Sequence, residues 1–200
     1  MKFVIASTGR SGLGYISKVL RNCGIDCGHE EYFVRNEKHE PNLALDGDSS
    51  VWSVPHLANF NGIIIHQLRH PLKVLTSLMH DKEEIKRNKD VWNLMSQYMP
   101  QCSSMSEKFM YMIYEMNSCI NHYSHYTFKV EEVTPTKIAY MASFQLGYDV
   151  DIRTATNAYH STSKSYNSYH NDRCLRWKEL RDCHAKRVLK MQALLYGYEE

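Results

Sequence analysis

Near the start of this chain, a short apolar stretch, a turn of small residues and an apolar-periodic stretch follow one another without interruption. Lys2 to Ala6 reads as a short buried strand and Ser7 to Gly14 as the turn. Leu13 to Cys23 reads as a helix, because Ile16, Val19 and Leu20 recur at helical spacing and Gly24 supplies a stop. Strand, glycine turn and helix in that order open a parallel α/β sheet. The expected architecture is therefore three layers, a parallel sheet flanked by helices.

The rest of the chain extends this pattern. Gly62 to Leu68 is a continuous β-branched run, the mark of a strand buried on both faces. Pro71 suits the first turn of a helix, which Leu72, Leu75, Leu78 and Met79 continue. Glu107 to Ile120 reads as another helix, Tyr126 to Val130 as a strand, and Thr134-Pro135 as the start of a helix ending at Gly147. Asp46 to Trp52 reads as a polar turn and Asp81 to Asp90 as an exposed charged stretch. Residues 149–172, rich in Ser, Thr, Asn and Tyr, read as a polar surface segment, a lid or acceptor-side element. Leu175 to Tyr196 reads as a basic amphipathic helix or helix pair, with Arg181 to Lys190 a solvated face.

Length and charge narrow the function. The 200 residues suit one domain, residues 1–200. A formal net charge of +2 is too small to argue for nucleic acid as a partner. No stretch approaches the ~18 apolar residues of a membrane span, and the N-terminal apolar stretch is too short for a signal peptide, so a cytoplasmic location is expected. The six cysteines are then free thiols, and no second close pair completes a zinc site with Cys23 and Cys27. Oligomeric state is not encoded legibly.

The first turn carries chemistry. In Thr8-Gly9-Arg10-Ser11-Gly12-Leu13-Gly14-Tyr15, glycines let the backbone approach a ligand and the helix start offers N–H groups to an anion. Gly9 and Gly14 have the spacing of the nucleoside triphosphatase loop G-x-x-x-x-G-K-[ST]. Tyr15 stands where that loop has its lysine, and Ile16 where it has the hydroxyl that holds magnesium. The cation is Arg10, inside the loop, able to pair with two oxygens of a phosphate or sulfonate. Taken alone, the loop fits either a phosphate cradle or a turn that packs the helix on the sheet.

A second element resolves this. Arg69-His70-Pro71 ends the Gly62–Leu68 strand, and Ser77 lies eight residues after Arg69. Ligands of open α/β sheets bind at strand C-terminal ends. Two such ends, each with an arginine, point to a ligand with two separate anionic groups.

Together these elements resemble the sulfotransferases that use 3′-phosphoadenosine 5′-phosphosulfate. Arg10, Ser11 and Gly12 match the family's first loop, which holds the 5′-phosphosulfate. Arg69, Pro71 and Ser77 match its Arg-x-Pro element, whose Arg and Ser hold the 3′-phosphate. Leu13 and Gly14 depart from the pattern, replacing two hydroxyl residues. The resemblance extends loosely over residues 1–147 and implies a P-loop NTPase-like sulfotransferase fold, no metal and no covalent intermediate. It implies a donor site of Gly9, Arg10, Ser11, Gly12, Leu13, Gly14, Tyr15, Arg69 and Ser77. A C-terminal basic segment closes over the 3′-phosphate in such enzymes, a part Lys164 or Arg173 would play. The product would be adenosine 3′,5′-bisphosphate, and the acceptor a hydroxyl or amine of a small molecule or carbohydrate.

In-line sulfonyl transfer needs a base, a stabiliser of the leaving phosphate and alignment. Arg10 and the N–H groups of Ser11 to Tyr15 are expected to stabilise charge, with Ser11 also touching the bridging or sulfonyl oxygens. The expected base is Glu30, then Glu31, then His29, all in the Gly28-His29-Glu30-Glu31 stretch where the resembling enzymes carry a glutamate. The alternative for this trio is a set of solvated loop charges. Trp52 and His56 are candidates for an acceptor pocket, with a buried core role for Trp52 as the alternative. His66 reads as a core histidine, and His70 has no assigned role. Two rivals remain: a nucleotide or nucleoside kinase with a degenerate loop, and a nucleotide-binding module without catalysis.

Overall fold

The computed structural model describes residues 1–34, 40–162 and 174–199. The chain opens with β1 (Phe3–Ala6), α1 (Leu13–Asn22), β2 (Cys27–His29) and β3 (Gly47–Ser49). It continues with β4 (Ile63–Leu68), α2 (Pro71–His80), α3 (Lys82–Arg87), α4 (Lys89–Ser96) and α5 (Met105–Tyr123). It closes with β5 (Tyr126–Lys129), α6 (Pro135–Tyr140), α7 (Ile152–Ser161) and α8 (His184–Leu195). The five strands form one all-parallel sheet in the order β2-β3-β1-β4-β5.

That order follows from the apolar runs. All four residues of β1 are fully buried, as befits the central strand, and β4 pairs with it from Phe3–Ile63 to Ala6–His66. The crossover to β2 and the crossover to β4 move in opposite directions across β1. Right-handed connections then put their helices on opposite faces. Accordingly α1 packs with α7 on one face, and α5 with α2, α8 and the 3₁₀ turn Val54–Asn59 on the other. The α1 stop works as its sequence suggests. Gly24 takes φ +83°, and the Ile25 N–H reaches back to the Leu20 carbonyl at 3.0 Å.

Three segments depart from the sequence reading. The polar turn of Asp46 to Trp52 contains a buried strand, β3, wedged between β1 and β2. Gly47 is required there, because a Cβ would lie 2.1 Å from the Phe3 ring. The Asp48 carboxylate is tolerated in the interior because it accepts the main-chain N–H groups of Glu31, Tyr32 and Phe33. The stretch expected as an exposed charged run, Asp81 to Asp90, holds helix α3 with Ile85 buried beneath it, and its first residue, Asp81, is buried.

The polar surface segment of residues 149–172 is a helix over much of its described part. Asp151 Oδ1 caps α7 by accepting from Thr154 N–H at 2.7 Å, and Ala155 and Ala158 face inward. Its remainder, including Lys164 and the neighbouring Arg173, lies outside the described residues. The basic helix or helix pair expected from Leu175 to Tyr196 is a 3₁₀ turn at Trp177–Glu179 followed by α8. Among the described residues no helix is long and apolar enough to cross a membrane. All six cysteines are free thiols.

Candidate functional site

The sheet order makes a topological switch point at β1, whose neighbours β3 and β4 are reached by connections running in opposite senses. Such points open a crevice at the strand C-terminal ends. A cavity of about 510 Å³ lies there. Gly9, Arg10, Gly12, Leu13 and Gly14 line it from the first loop, His29 and Glu30 from the end of β2, and Arg69 and Ser77 from the second element. Residues from three separate strand ends therefore meet at one site.

The loop after β1 is fixed from within. Gly12 sits at φ +90° ahead of α1, a conformation that favours glycine. The Ser11 side chain is fully buried and its Oγ accepts from the Ser7 hydroxyl, while the Ser11 carbonyl accepts from Gln67 Nε2 at 2.6 Å. Ser11 thus braces the loop and does not line the cavity, against the expectation that it touches ligand oxygens. Tyr15 also stays off the cavity lining, and its N–H already donates to the Gly12 carbonyl at 3.1 Å. Leu13 and Gly14, which replace hydroxyl residues, line the cavity, and as first-turn residues of α1 their N–H groups have no partner within the helix.

Two arginines dominate the electrostatics. Arg69 Nη1 donates to the Arg10 carbonyl at 2.5 Å, so the second element holds the first loop directly. Arg10 Nη2 lies 2.8 Å from Asp81 Oδ2, with the Asp81 side chain only 7% exposed. Lys73, one turn after Arg69, adds a third cation to the cavity wall and sits 3.6 Å from Glu131 Oε1. His70 caps α2 through Nδ1, which accepts from Leu72 N–H at 3.2 Å. Burial holds the His70 pKa below the ordinary histidine value.

The expected base trio separates. Glu30 lines the cavity, and its N–H donates to the Ser49 carbonyl at 3.2 Å. His29 also lines the cavity, with its Nδ1–H on the Ser49 carbonyl at 3.0 Å. Glu31 points elsewhere, to an ion pair with Arg21 at 2.5 Å. Among the described residues, Arg10 at φ +53° and Glu30 at φ +58° are the non-glycine residues in the left-handed region. For an L-residue that conformation costs about 1–2 kcal/mol, and such outliers cluster at functional sites.

A further part of the lining is largely apolar. Ile85, Val91, Leu94 and Met95 come from α3 and α4, with Glu84 and Asn88 beside them, and Val51 and Trp52 add to the apolar lining. The buried Trp52 Nε1–H has no hydrogen-bond partner among the described residues. His56 does not join this wall; it stacks on Phe33 with ring centroids 5.6 Å apart. His66 is a core histidine, fully buried, with Nε2–H on Asn117 Oδ1 at 3.2 Å.

Sequence reasoning missed Asp81, Lys73 and the α3–α4 wall. Lys73 was within reach as a residue in the first turn of α2, four positions after Arg69. Asp81 carries no local signal, because its partner, Arg10, lies far away in sequence, before α1. Comparison with known proteins adds no name to this geometry: neither a scan against family models nor a search of curated proteins returns a match.

Proposed function

We propose that this chain is a sulfotransferase with a P-loop-like fold, moving a sulfonyl group from 3′-phosphoadenosine 5′-phosphosulfate to a hydroxyl or amine acceptor. The observation that carries the reading is the convergence of Arg10, Arg69, Ser77 and Glu30 on one cavity at the switch point of a parallel sheet. A ligand with two separated anionic groups fits that set: Arg69 and Ser77 for a 3′-phosphate, Arg10 and the first-turn N–H groups of α1 for the 5′-side anion.

The transfer is a single displacement. The acceptor oxygen or nitrogen forms a bond to sulfur while the bond from sulfur to the 5′-phosphate oxygen breaks. The acceptor proton passes to Glu30, and adenosine 3′,5′-bisphosphate departs with the bonding electron pair. Glu30 is suited to the base role because it lines the cavity on a backbone pinned by Ser49, whereas Glu31 is committed to Arg21. Arg10 and the α1 N-terminus oppose the negative charge that grows on the leaving phosphate. The apolar side chains of the α3–α4 lining, Ile85, Val91, Leu94 and Met95, lower the polarity around the reacting atoms.

Calorimetry with adenosine 3′,5′-bisphosphate, set beside ATP–Mg²⁺, tests the reading. Micromolar binding of the bisphosphate and weak binding of ATP–Mg²⁺ are expected. Binding of ATP–Mg²⁺ alone would point to the kinase rival. Bisphosphate binding without transfer to any acceptor would point to a binding module.

A further inference from the structure

The Arg10 guanidinium is held 2.8 Å from the Asp81 carboxylate, and that carboxylate is almost wholly withdrawn from solvent. A carboxylate in such a place is costly without a counter-charge. Asp81 sits between α2 and α3, one turn beyond Ser77, to whose carbonyl its N–H donates at 3.1 Å. Its side chain makes no capping bond to α3. The carboxylate is therefore not spent on starting that helix; it faces Arg10, with His80 Nε2 3.9 Å away on the other oxygen.

The geometry points to Asp81 as an internal counter-ion that competes with the 5′-side anion for Arg10. This inference rests on the donor-site reading above. The Arg10 main chain is fixed, its carbonyl gripped by Arg69, so the guanidinium rather than the loop must move when an anion claims it. Among the described residues Arg69 donates to that neutral carbonyl and forms no ion pair with a carboxylate, so it meets an anion with its charge available. The 3′-phosphate consequently docks without disturbing Asp81, and the 5′-side anion docks only by displacing it. After transfer the same carboxylate stands ready to take Arg10 back and help expel the bisphosphate.

A counter-ion that holds Arg10 in about nine molecules of ten weakens any ligand needing that arginine about tenfold and leaves other ligands untouched. Calorimetry on the wild type and on Asp81→Asn, with adenosine 3′,5′-bisphosphate, 5′-AMP and 3′-AMP, reads this directly. In the variant, the bisphosphate and 5′-AMP should each bind about tenfold tighter, while 3′-AMP stays within about twofold of wild type. Asp81→Ser, which also removes the charge, guards against a folding defect peculiar to the amide. Equal shifts for all three ligands, or unchanged or weaker 5′-AMP binding with the bisphosphate still bound by wild type, would overturn the competition. Failure of the bisphosphate to bind any of the three proteins would instead sink the donor-site reading, and the inference with it.

Discussion

Ser49 Oγ donates to the Leu13 carbonyl at 3.0 Å, tying the end of β3 to the first turn of α1. The same residue's carbonyl receives the Glu30 N–H and the His29 Nδ1–H. One serine therefore spaces the first loop, the proposed anion site, from the proposed base. Ser49→Ala should lower stability by about 1–3 kcal/mol, since it strips a buried hydrogen bond, and should reduce transfer more than bisphosphate binding. Urea unfolding and single-turnover transfer measure the two effects.

Glu30 combines a strained backbone with a proposed proton-accepting role. Glu30→Gln should cut transfer about 10²–10⁴-fold, the usual worth of a general base, with bisphosphate affinity unchanged. Glu30→Gly should abolish transfer equally and yet hold or raise the thermal midpoint, because glycine adopts φ +58° without the side-chain clash. Full activity in the Gln variant would remove Glu30 from the mechanism.

Arg69 grips the Arg10 carbonyl and is also the proposed contact for the 3′-phosphate. Arg69→Ala should weaken the bisphosphate at least about thirtyfold, the lower end of a truncated charge pair. It should also weaken 5′-AMP, which lacks the 3′-phosphate, because the Arg10 loop loses its anchor. Ser77→Ala should cost about tenfold for the bisphosphate and spare 5′-AMP. Equal losses for both nucleotides in Ser77→Ala would contradict the 3′ assignment.

Acid stability should depend on His66. Burial lowers its pKa from 6.5 to about 4, because the charged ring has no solvation in the core. A base whose folded pKa is depressed contributes stability that is present above its unfolded value and lost as pH falls through the folded one. The wild type should therefore lose up to roughly 3 kcal/mol between about pH 6.5 and 4 from this residue alone. Urea midpoints across that range should decline less steeply in His66→Gln. An unchanged slope would mean that another group governs the acid limb.

The parts of the fold legible in the sequence are those whose signal is local and dense. β1, its glycine loop and α1 announce themselves through apolar spacing and Gly24, and β4 with Arg69 through an unbroken β-branched run. β3 was illegible because Gly-Asp-Ser has turn chemistry. It is a strand only because β1 and β2 flank it and because three distant N–H groups satisfy Asp48. Helix α7 was illegible because its inward face consists of alanines too small to register as an apolar stripe. At the site, Arg10, Arg69 and Glu30 could be read from motif and position. Ser11 could be recognised but not oriented, since its burial depends on Ser7 and Gln67. Asp81 depends wholly on a tertiary pairing and left no trace in the linear pattern.

Every neighbour in the sheet is a parallel one, so each pairing must wait for an intervening crossover to be threaded. High separation between paired segments makes folding slow. Arg10, Glu30 and Arg69 become neighbours only after β1, β2 and β4 have all docked. Recovery of bisphosphate binding during refolding should consequently lag behind the return of helical circular dichroism, which makes ligand binding a timer for completion of the sheet.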